Sequence, residues 1–364
     1  MAALAERPGR GHTPAVLTVG LVANPVSAHD IRRVIANATS LQVADRANIG
    51  LRVLAGLAAA GVGTVMVMPD RKGITALLER NLARERNLGR PLPEVLILDM
   101  PVTTTVGDTL RATAEMVDAG VAAIVVLGGD GTHRAVVRRC GKVPLAGLST
   151  GTNNAFPEMR EPTITGLATG LYATGAVPAD EALQSNKILE VAVNDGERAD
   201  IALVDVVVSS ERFVGARALW RTEHLHELFV TFADPEAIGM SAVAGLLRPV
   251  GRREPFGLRV TLDPAAASSA PTLRAPIAPG LIEPVAVSSS AQLLPDEAVS
   301  VAHRGGVVAL DGERELELRP GDRLTITLRC DAFRSIDVSA CMRAAAHRGL
   351  FHHDHQPNER GTHG

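Results

Sequence analysis

The chain has 364 residues, 46% of them hydrophobic and 21% charged, which is enough for more than one core and too apolar for general disorder. A formal net charge of −3 and an aromatic content of 2% argue against nucleic acid or an anionic membrane as partner. No apolar run approaches the roughly 20 residues that span a bilayer, and Met1–Thr13 has no apolar stretch of the kind a secretion signal needs. Cys140, Cys330 and Cys341 form neither a CxxC pair nor an even disulfide set, so a cytoplasmic protein with buried thiols is expected.

From Ala15 to about Tyr172, short apolar runs alternate with amphipathic stretches. The pattern predicts strands at Val16–Ala23, Val62–Met68, Val95–Met100, Val121–Leu127 and Val143–Leu148. It predicts helices near Asp45–Ala60, Ile74–Leu88, Thr109–Ala119 and His133–Arg139. Val121–Leu127 is apolar throughout, as a strand covered on both faces should be, and the repeated βαβ spacing implies an open, mostly parallel sheet. After about Asn186 the pattern changes. Ile188–Val193 and Ile201–Val208 read as strands on either side of Asn194-Asp195-Gly196. Further strands are predicted at Phe256–Leu262, Val299–His303, Gly306–Leu310, Glu315–Leu318 and Leu324–Leu328, with turns at Asp311-Gly312 and Pro320-Gly321-Asp322. Glu211–Ala233 reads as a helical insertion, Ala237–Leu247 as an apolar segment and Ala265–Pro284 as an exposed loop. His347, His352, His353, His355 and His363 read as a solvated end rather than a metal site.

Two turns carry the chemistry. Leu127-Gly128-Gly129-Asp130-Gly131-Thr132 lies where a buried strand gives way to a helix expected to begin near Thr132. Its glycines permit positive φ and a close approach of backbone to ligand, and the helix N-terminus favours a phosphate. It is not a P-loop, because no GxxxxGK[ST] sequence is present. The second turn, Ser149-Thr150-Gly151-Thr152-Asn153-Asn154-Ala155-Phe156, follows the next strand and reaches the same carboxyl edge, where open α/β sheets hold ligands. Asp130 among phosphate-binding amides suits acceptance of a proton from an attacking hydroxyl or retention of Mg²⁺, with capping of the following helix as the structural alternative. Arg212, Arg217, Arg221 and His224 repeat near helical spacing and read first as a solvated face, and Trp220 as a packing residue.

Gly128-Gly129-Asp130-Gly131-Thr132 matches the GGDGT motif of NAD kinases and diacylglycerol-type lipid kinases. Gly151-Thr152-Asn153-Asn154-Ala155-Phe156 resembles the lipid kinases' GTGNDF, with Asn153 in place of its glycine. Asn24-Pro25 is similar to the early NP turn of that superfamily, and Asp311-Gly312-Glu313 to its late DGE turn. With Val26-Ser27 leading to Asp30-Ile31-Arg32-Arg33, the arrangement looks closest to the ATP-NAD kinase-like AcoX group, over roughly residues 15 to 340. The resemblance implies an α/β fold with a Rossmann-like parallel-sheet N-terminal domain followed by an antiparallel β-sandwich-like domain. It implies ATP and Mg²⁺, a cleft between the domains, and a homo-oligomer. Catalysis falls on Asp130, and phosphate or nucleotide binding on Asn24, Gly128, Gly129, Gly131, Thr132, Gly151, Thr152, Asn153 and Asn154. Asp205 is an acceptor-binding candidate. The expected organisation is a disordered 1–14, an α/β nucleotide-binding kinase domain at 15–185 and a mainly β domain at 186–332. A segment at 333–346 returns to the first domain, and a disordered His-rich tail covers 347–364.

The sequence departs from NAD kinases in two places. Their ALNEVVI strand is represented by Ala202-Leu203-Val204-Asp205-Val206-Val207-Val208, so Val204 replaces a hydrogen-bonding side chain and Asp205 shortens a carboxylate stem. Their NxGxLGFL segment is absent. The expectation is phosphorylation of NAD by ATP. The alternatives are another hydroxyl metabolite linked to acetoin catabolism, or a nucleotide-binding regulator without turnover.

Overall fold

The computed structural model describes residues 17–24, 41–151, 154–210, 223–263, 272–303 and 305–352. Strands β1 (Thr18–Ala23), β2 (Thr64–Val67), β3 (Glu94–Ile97), β4 (Ile124–Gly128) and β5 (Leu145–Ser149) are parallel, in the order β3-β2-β1-β4-β5. Helices α1 (Val43–Ala59), α2 (Ile74–Asn87), α3 (Val106–Asp118), α4 (Asp130–Cys140) and α5 (Pro162–Ala173) alternate with them or follow. Every residue of β4 is buried, whereas β3, at the sheet edge, alternates between exposed and half-buried. The two-residue period of β4 divides its side chains between two cores. Val125 and Leu127 pack with Leu54 and Leu57 of α1 and Leu171 of α5, while Ile124 and Val126 pack with Met116 of α3 and Val136 of α4.

Helices α1 and α5 meet through glycine. A Cβ on Gly56 would lie 2.2 Å from the Thr163 carbonyl oxygen, and one on Gly166 would lie 2.2 Å from that of Val53. The two backbones therefore touch, and any side chain at either position would separate them.

A short helix, α6 (Ala179–Ala182), leads into β6 (Leu183–Val193), β7 (Arg198–Ala202), β8 (Asp205–Ser209), β9 (Leu225–Val230) and α7 (Met240–Leu247). Then come β10 (Gly257–Leu262), β11 (Thr272–Ala278), β12 (Leu281–Leu293), β13 (Ala298–Val301), β14 (Gly306–Leu310), β15 (Glu313–Leu318), β16 (Leu324–Ile336) and α8 (Val338–His347). An antiparallel sheet in the order β11-β12-β10-β9-β8-β14-β15 faces β6, β7 and β16 as a sandwich. Between them lie Leu189, Val191, Ile326 and Leu328 from one layer and Val206, Val208, Phe229 and Val308 from the other. The fold is thus α/β, a Rossmann-like parallel sheet followed by an antiparallel sandwich.

The two parts share a strand. β16 pairs antiparallel with β6 along its length, while its other edge pairs first with β13 and then, at Ser335, with Leu145 of β5. Helix α8 follows and places Val338, Cys341 and Ala345 in the core beneath α1 and α5.

Three sequence expectations need correction. The single strand expected at Ile201–Val208 is two, β7 and β8, because the Leu203 and Val204 amides turn to the Asp311 carboxylate. The helix expected at Glu211–Ala233 is not present over Leu225–Val230, which is β9, paired with β8 and β10, and His224 is an exposed turn residue before it. Arg212, Arg217, Trp220 and Arg221 lie outside the described residues. The exposed loop expected at Ala265–Pro284 contains β11 and the start of β12. Pro276 is tolerated there because β11 is the sheet's edge strand. The expected disorder at 1–14 and most of the His-rich tail also fall outside the described residues; His347 closes α8. No helix among the described residues is long and apolar enough to cross a membrane.

Candidate functional site

Register alone brings the sequence motifs together. Ala23 pairs with Leu127 and Gly128 pairs with Ser149, so the turns after β1, β4 and β5 leave the sheet at one level. Asn24 is buried there, its side-chain amide donating to Thr109 Oγ1 at 2.8 Å and its carbonyl accepting from Arg46 at 3.2 Å.

The helix after β4 starts earlier than the sequence indicated: Gly129 is its N-cap and Asp130 its first residue. Gly128, Gly129 and Gly131 all have negative φ, so positive φ is not why glycine stands there. Close approach is. A Cβ on Gly128 would sit 2.6 Å from Thr132 Cβ, and one on Gly129 would sit 2.5 Å from Asn154 Oδ1. Thr132 is buried in the first turn of α4.

Asp130, 8% exposed, ties the two turns to each other. Its Oδ2 accepts from the Ala155 amide at 3.0 Å and its Oδ1 from the Phe156 amide at 2.8 Å. Asn154 stays on its own loop, donating to Ser149 Oγ at 2.8 Å, while Ser149 Oγ donates to the Gly151 carbonyl at 2.9 Å. Thr152 and Asn153 lie outside the described residues. The N-cap of α4 is Gly129 rather than Asp130, and the Asp130 carboxylate accepts from amides of the second loop.

One turn further along α4, Arg134 reaches the β sandwich. It donates to the Leu310 carbonyl at 2.9 Å and to Glu315 at 2.7 Å, and lies 3.8 Å from Asp311 Oδ2. Asp311 and Gly312 form a two-residue hairpin turn with φ of 51° and 78°. Asp311 Oδ1 accepts from the Leu203 and Val204 amides at 2.9 and 2.8 Å, and its own amide donates to the Asp205 carbonyl at 2.9 Å. Burial pushes the Asp311 carboxyl up to about 8, Asp130 and Asp205 adding to the rise against the pull of Arg134. A Cβ on Gly131 would sit 3.7 Å from a Glu313 carboxylate oxygen, so the late turn faces the early one. Asp205 is buried in the same cluster of charges, whereas the Val204 side chain belongs to the apolar core.

His133 was not singled out by sequence, yet it is fully buried under the turn. Its Nδ1–H donates to the Gly129 carbonyl at 2.9 Å, which fixes the tautomer, because a carbonyl can only accept. Among the described residues Nε2 has no hydrogen-bond partner, and it points at Gly147, where a Cβ would be 2.9 Å away. Burial lowers its pKa to about 4, against the opposing effect of the Gly129 bond.

Residues 19–177 match the family model of the ATP-NAD kinase N-terminal domain, and residues 187–331 that of the acetoin catabolism protein X C-terminal domain. Acetoin catabolism protein X of Cupriavidus necator is 60% identical over 342 residues, which are 93% of this chain and 95% of the relative. The chain belongs to the acetoin catabolism protein X family. A crystal structure of yeast NADH kinase complexed with NADH is similar at 13% identity and a TM-score of 0.48, covering 96% of this chain and 91% of that one. In this acetoin catabolism protein X family member, the first matched region ends at Val177, before β6, and the second begins at Lys187 within β6. Asp130 and Asp311, which face each other across the site, therefore come from different matched regions.

Proposed function

We propose that this protein is an ATP-dependent small-molecule kinase that transfers a phosphoryl group to a hydroxyl, with the ribose hydroxyl of NAD as the first acceptor to test. One observation carries the reading. Asp130 begins a helix at the carboxyl edge of a parallel sheet, and both its oxygens are held by amides of the neighbouring loop. The match of residues 19–177 to the ATP-NAD kinase N-terminal domain supports the same reading.

The side chains suit phosphate chemistry. The Gly128-Gly129-Asp130-Gly131 turn opens α4, whose dipole favours the negative charge of a ligand at its N-terminus. Asp130 is the carboxylate to orient an attacking hydroxyl and take its proton at one oxygen. Arg134 holds the Asp311-Gly312-Glu313 turn against α4, which keeps Glu313 beside Gly131. Mg²⁺ characteristically takes one or two carboxylates and draws its other ligands from phosphates and water. Asp130 and Glu313 fit that role, and among the described residues no group of three or more His, Cys, Asp or Glu side chains forms a fuller metal cage. When bound, the ion supplies charge neutralisation on the transferred phosphate.

The test is NADP formation from NAD, ATP and Mg²⁺ by the full chain. Wild type is expected to form product, and Asp130→Asn to lose roughly 100-fold or more of the rate. Equal turnover by the two proteins would remove Asp130 from the mechanism.

A second acceptor is favoured by the 203–204 segment. Its amides are engaged by Asp311 and Val204 is turned into the core, so the NAD kinases' polar side chain has no equivalent there. The name of the Cupriavidus relative directs that search to hydroxyl metabolites related to acetoin. ADP release with such a compound, and none with NAD, would select this acceptor. ATP binding without transfer to any compound would leave a nucleotide-binding regulator.

A further inference from the structure

The backbone of Ala155 is held from both sides. Its N–H donates to Asp130 at 3.0 Å, and its carbonyl accepts from an Arg252 Nη at 2.6 Å. Arg252 comes from the loop between α7 and β10, in the other half of the molecule. Lys187 of β6 anchors that loop, its ammonium donating to the carbonyls of Gly251, Glu254 and Phe256 at 3.2, 2.8 and 2.8 Å.

The Arg252 guanidinium lies over two rings, 4.2 Å from the centroid of Phe232 and 5.4 Å from that of Phe156. Beside it opens a cleft of about 80 Å³, continuous with solvent, whose wall also carries Glu158, Arg160, Gln184 and Asp337. The other charges there are already matched, Arg160 with Glu158 and Asp337 with Arg253. Among the described residues Arg252 alone of the cleft's charged side chains has no ion-pair partner within 4 Å. A guanidinium has five N–H donors, and the Ala155 carbonyl engages one Nη. Burial pulls the Arg252 pKa down, and the more distant charges of Glu158, Asp130 and Asp234 oppose this.

We propose that this cleft is an oxyanion subsite, in which Arg252 receives a phosphate or carboxylate group of the small molecule on which the protein acts. A half-buried cation without a counter-ion gains more from an arriving anion than a solvated one does. The flanking rings hold the planar guanidinium in place, so its fork stays oriented toward the oxyanion. The single peptide group between Arg252 and Asp130, whose Ala155 carbonyl accepts from Arg252 and whose Phe156 N–H donates to Asp130 at 2.8 Å, then sets the position of that anion relative to the catalytic turn. The last step rests on the kinase reading; capture of the oxyanion does not.

Calorimetric titration of the full chain with inorganic pyrophosphate and with malonate, at fixed ionic strength, tests the subsite. Arg252→Met removes the cation, and Gln184→Glu places a carboxylate in the cleft while leaving Arg252 intact. Each is expected to weaken the preferred anion at least about tenfold, the loss of a charge-assisted hydrogen bond, with Arg252→Lys recovering part. A pyrophosphate preference assigns the subsite to a phosphate group, and a malonate preference to a carboxylate. If Arg252→Met does not fold, Gln184→Glu decides. Wild-type affinity in the folded variants, or no binding of either anion by wild type, overturns the proposal. Arg252-dependent binding in a protein without phosphoryl transfer would keep the subsite and remove the kinase reading.

Discussion

Asp130 places a negative charge where a phosphate is expected, and its two backbone amide partners keep it fixed there. Gly129 maintains that arrangement by occupying no space. Gly129→Ala would press a methyl group against Asn154 Oδ1 at 2.5 Å and move the second loop. The cost is about 1–3 kcal/mol for such overpacking, and the expected result is a roughly tenfold loss of ATP affinity by calorimetry. His133 makes a prediction in pH. Its folded pKa is about 4 against 6.5 for the free side chain, so between those values the unfolded chain binds more protons. Stability is therefore complete above about pH 6.5 and is lost as pH falls toward about 4, by something on the order of 3 kcal/mol. Urea midpoints measured across that window should fall in wild type and fall less in His133→Asn. The motif residues at 128–132 were legible in sequence because glycine and aspartate in a strand-to-helix turn have few other uses. Arg134 had a signal, lying one helical turn after Asp130. Arg252 had none, since nothing in a loop sequence tells which distant carbonyl an arginine will reach.

Among the elements, the parallel strands were readable because burial on both faces leaves continuous apolar runs, as in β4. Helix α5 was not, because Gly166 and Gly170 lower its helix propensity, and their purpose appears only when the backbone of α1 lies against them. Likewise β9 carries Leu225, Glu227 and Phe229 in a window rich in arginine and leucine, and pairing with β8 and β10 decides its state. Lys187 shows how one side chain supports an element. Burial lowers its pKa to about 8, and its three carbonyl partners hold the 251–256 loop. Lys187→Met leaves those carbonyls without their donor. A loss of about 2 kcal/mol or more in urea unfolding is expected, together with weaker anion binding at Arg252, which Lys187 does not touch through any of its own hydrogen bonds.

At the scale of the whole molecule, the strand shared by both halves makes them unfold together. β16 contributes ten register positions to β6 and one to β5, and α8 completes the core beneath α1 and α5. Differential scanning calorimetry should give one transition, with calorimetric and van't Hoff enthalpies in agreement. Two resolved transitions would show that the halves are thermally independent. The antiparallel half was visible in sequence as turns and short strands, but the crossing was not, because strand alternation says nothing about which sheet a strand will join. This thread also orders events at the ribosome. A nascent chain that has emerged as far as Arg323 already has all five parallel strands, yet β5 and β6 still lack their final neighbour and α1 and α5 lack α8. Two strand edges and an apolar face stay open until residues 324–347 emerge, so synthesis of this protein exposes surfaces prone to aggregation after every other strand has been made.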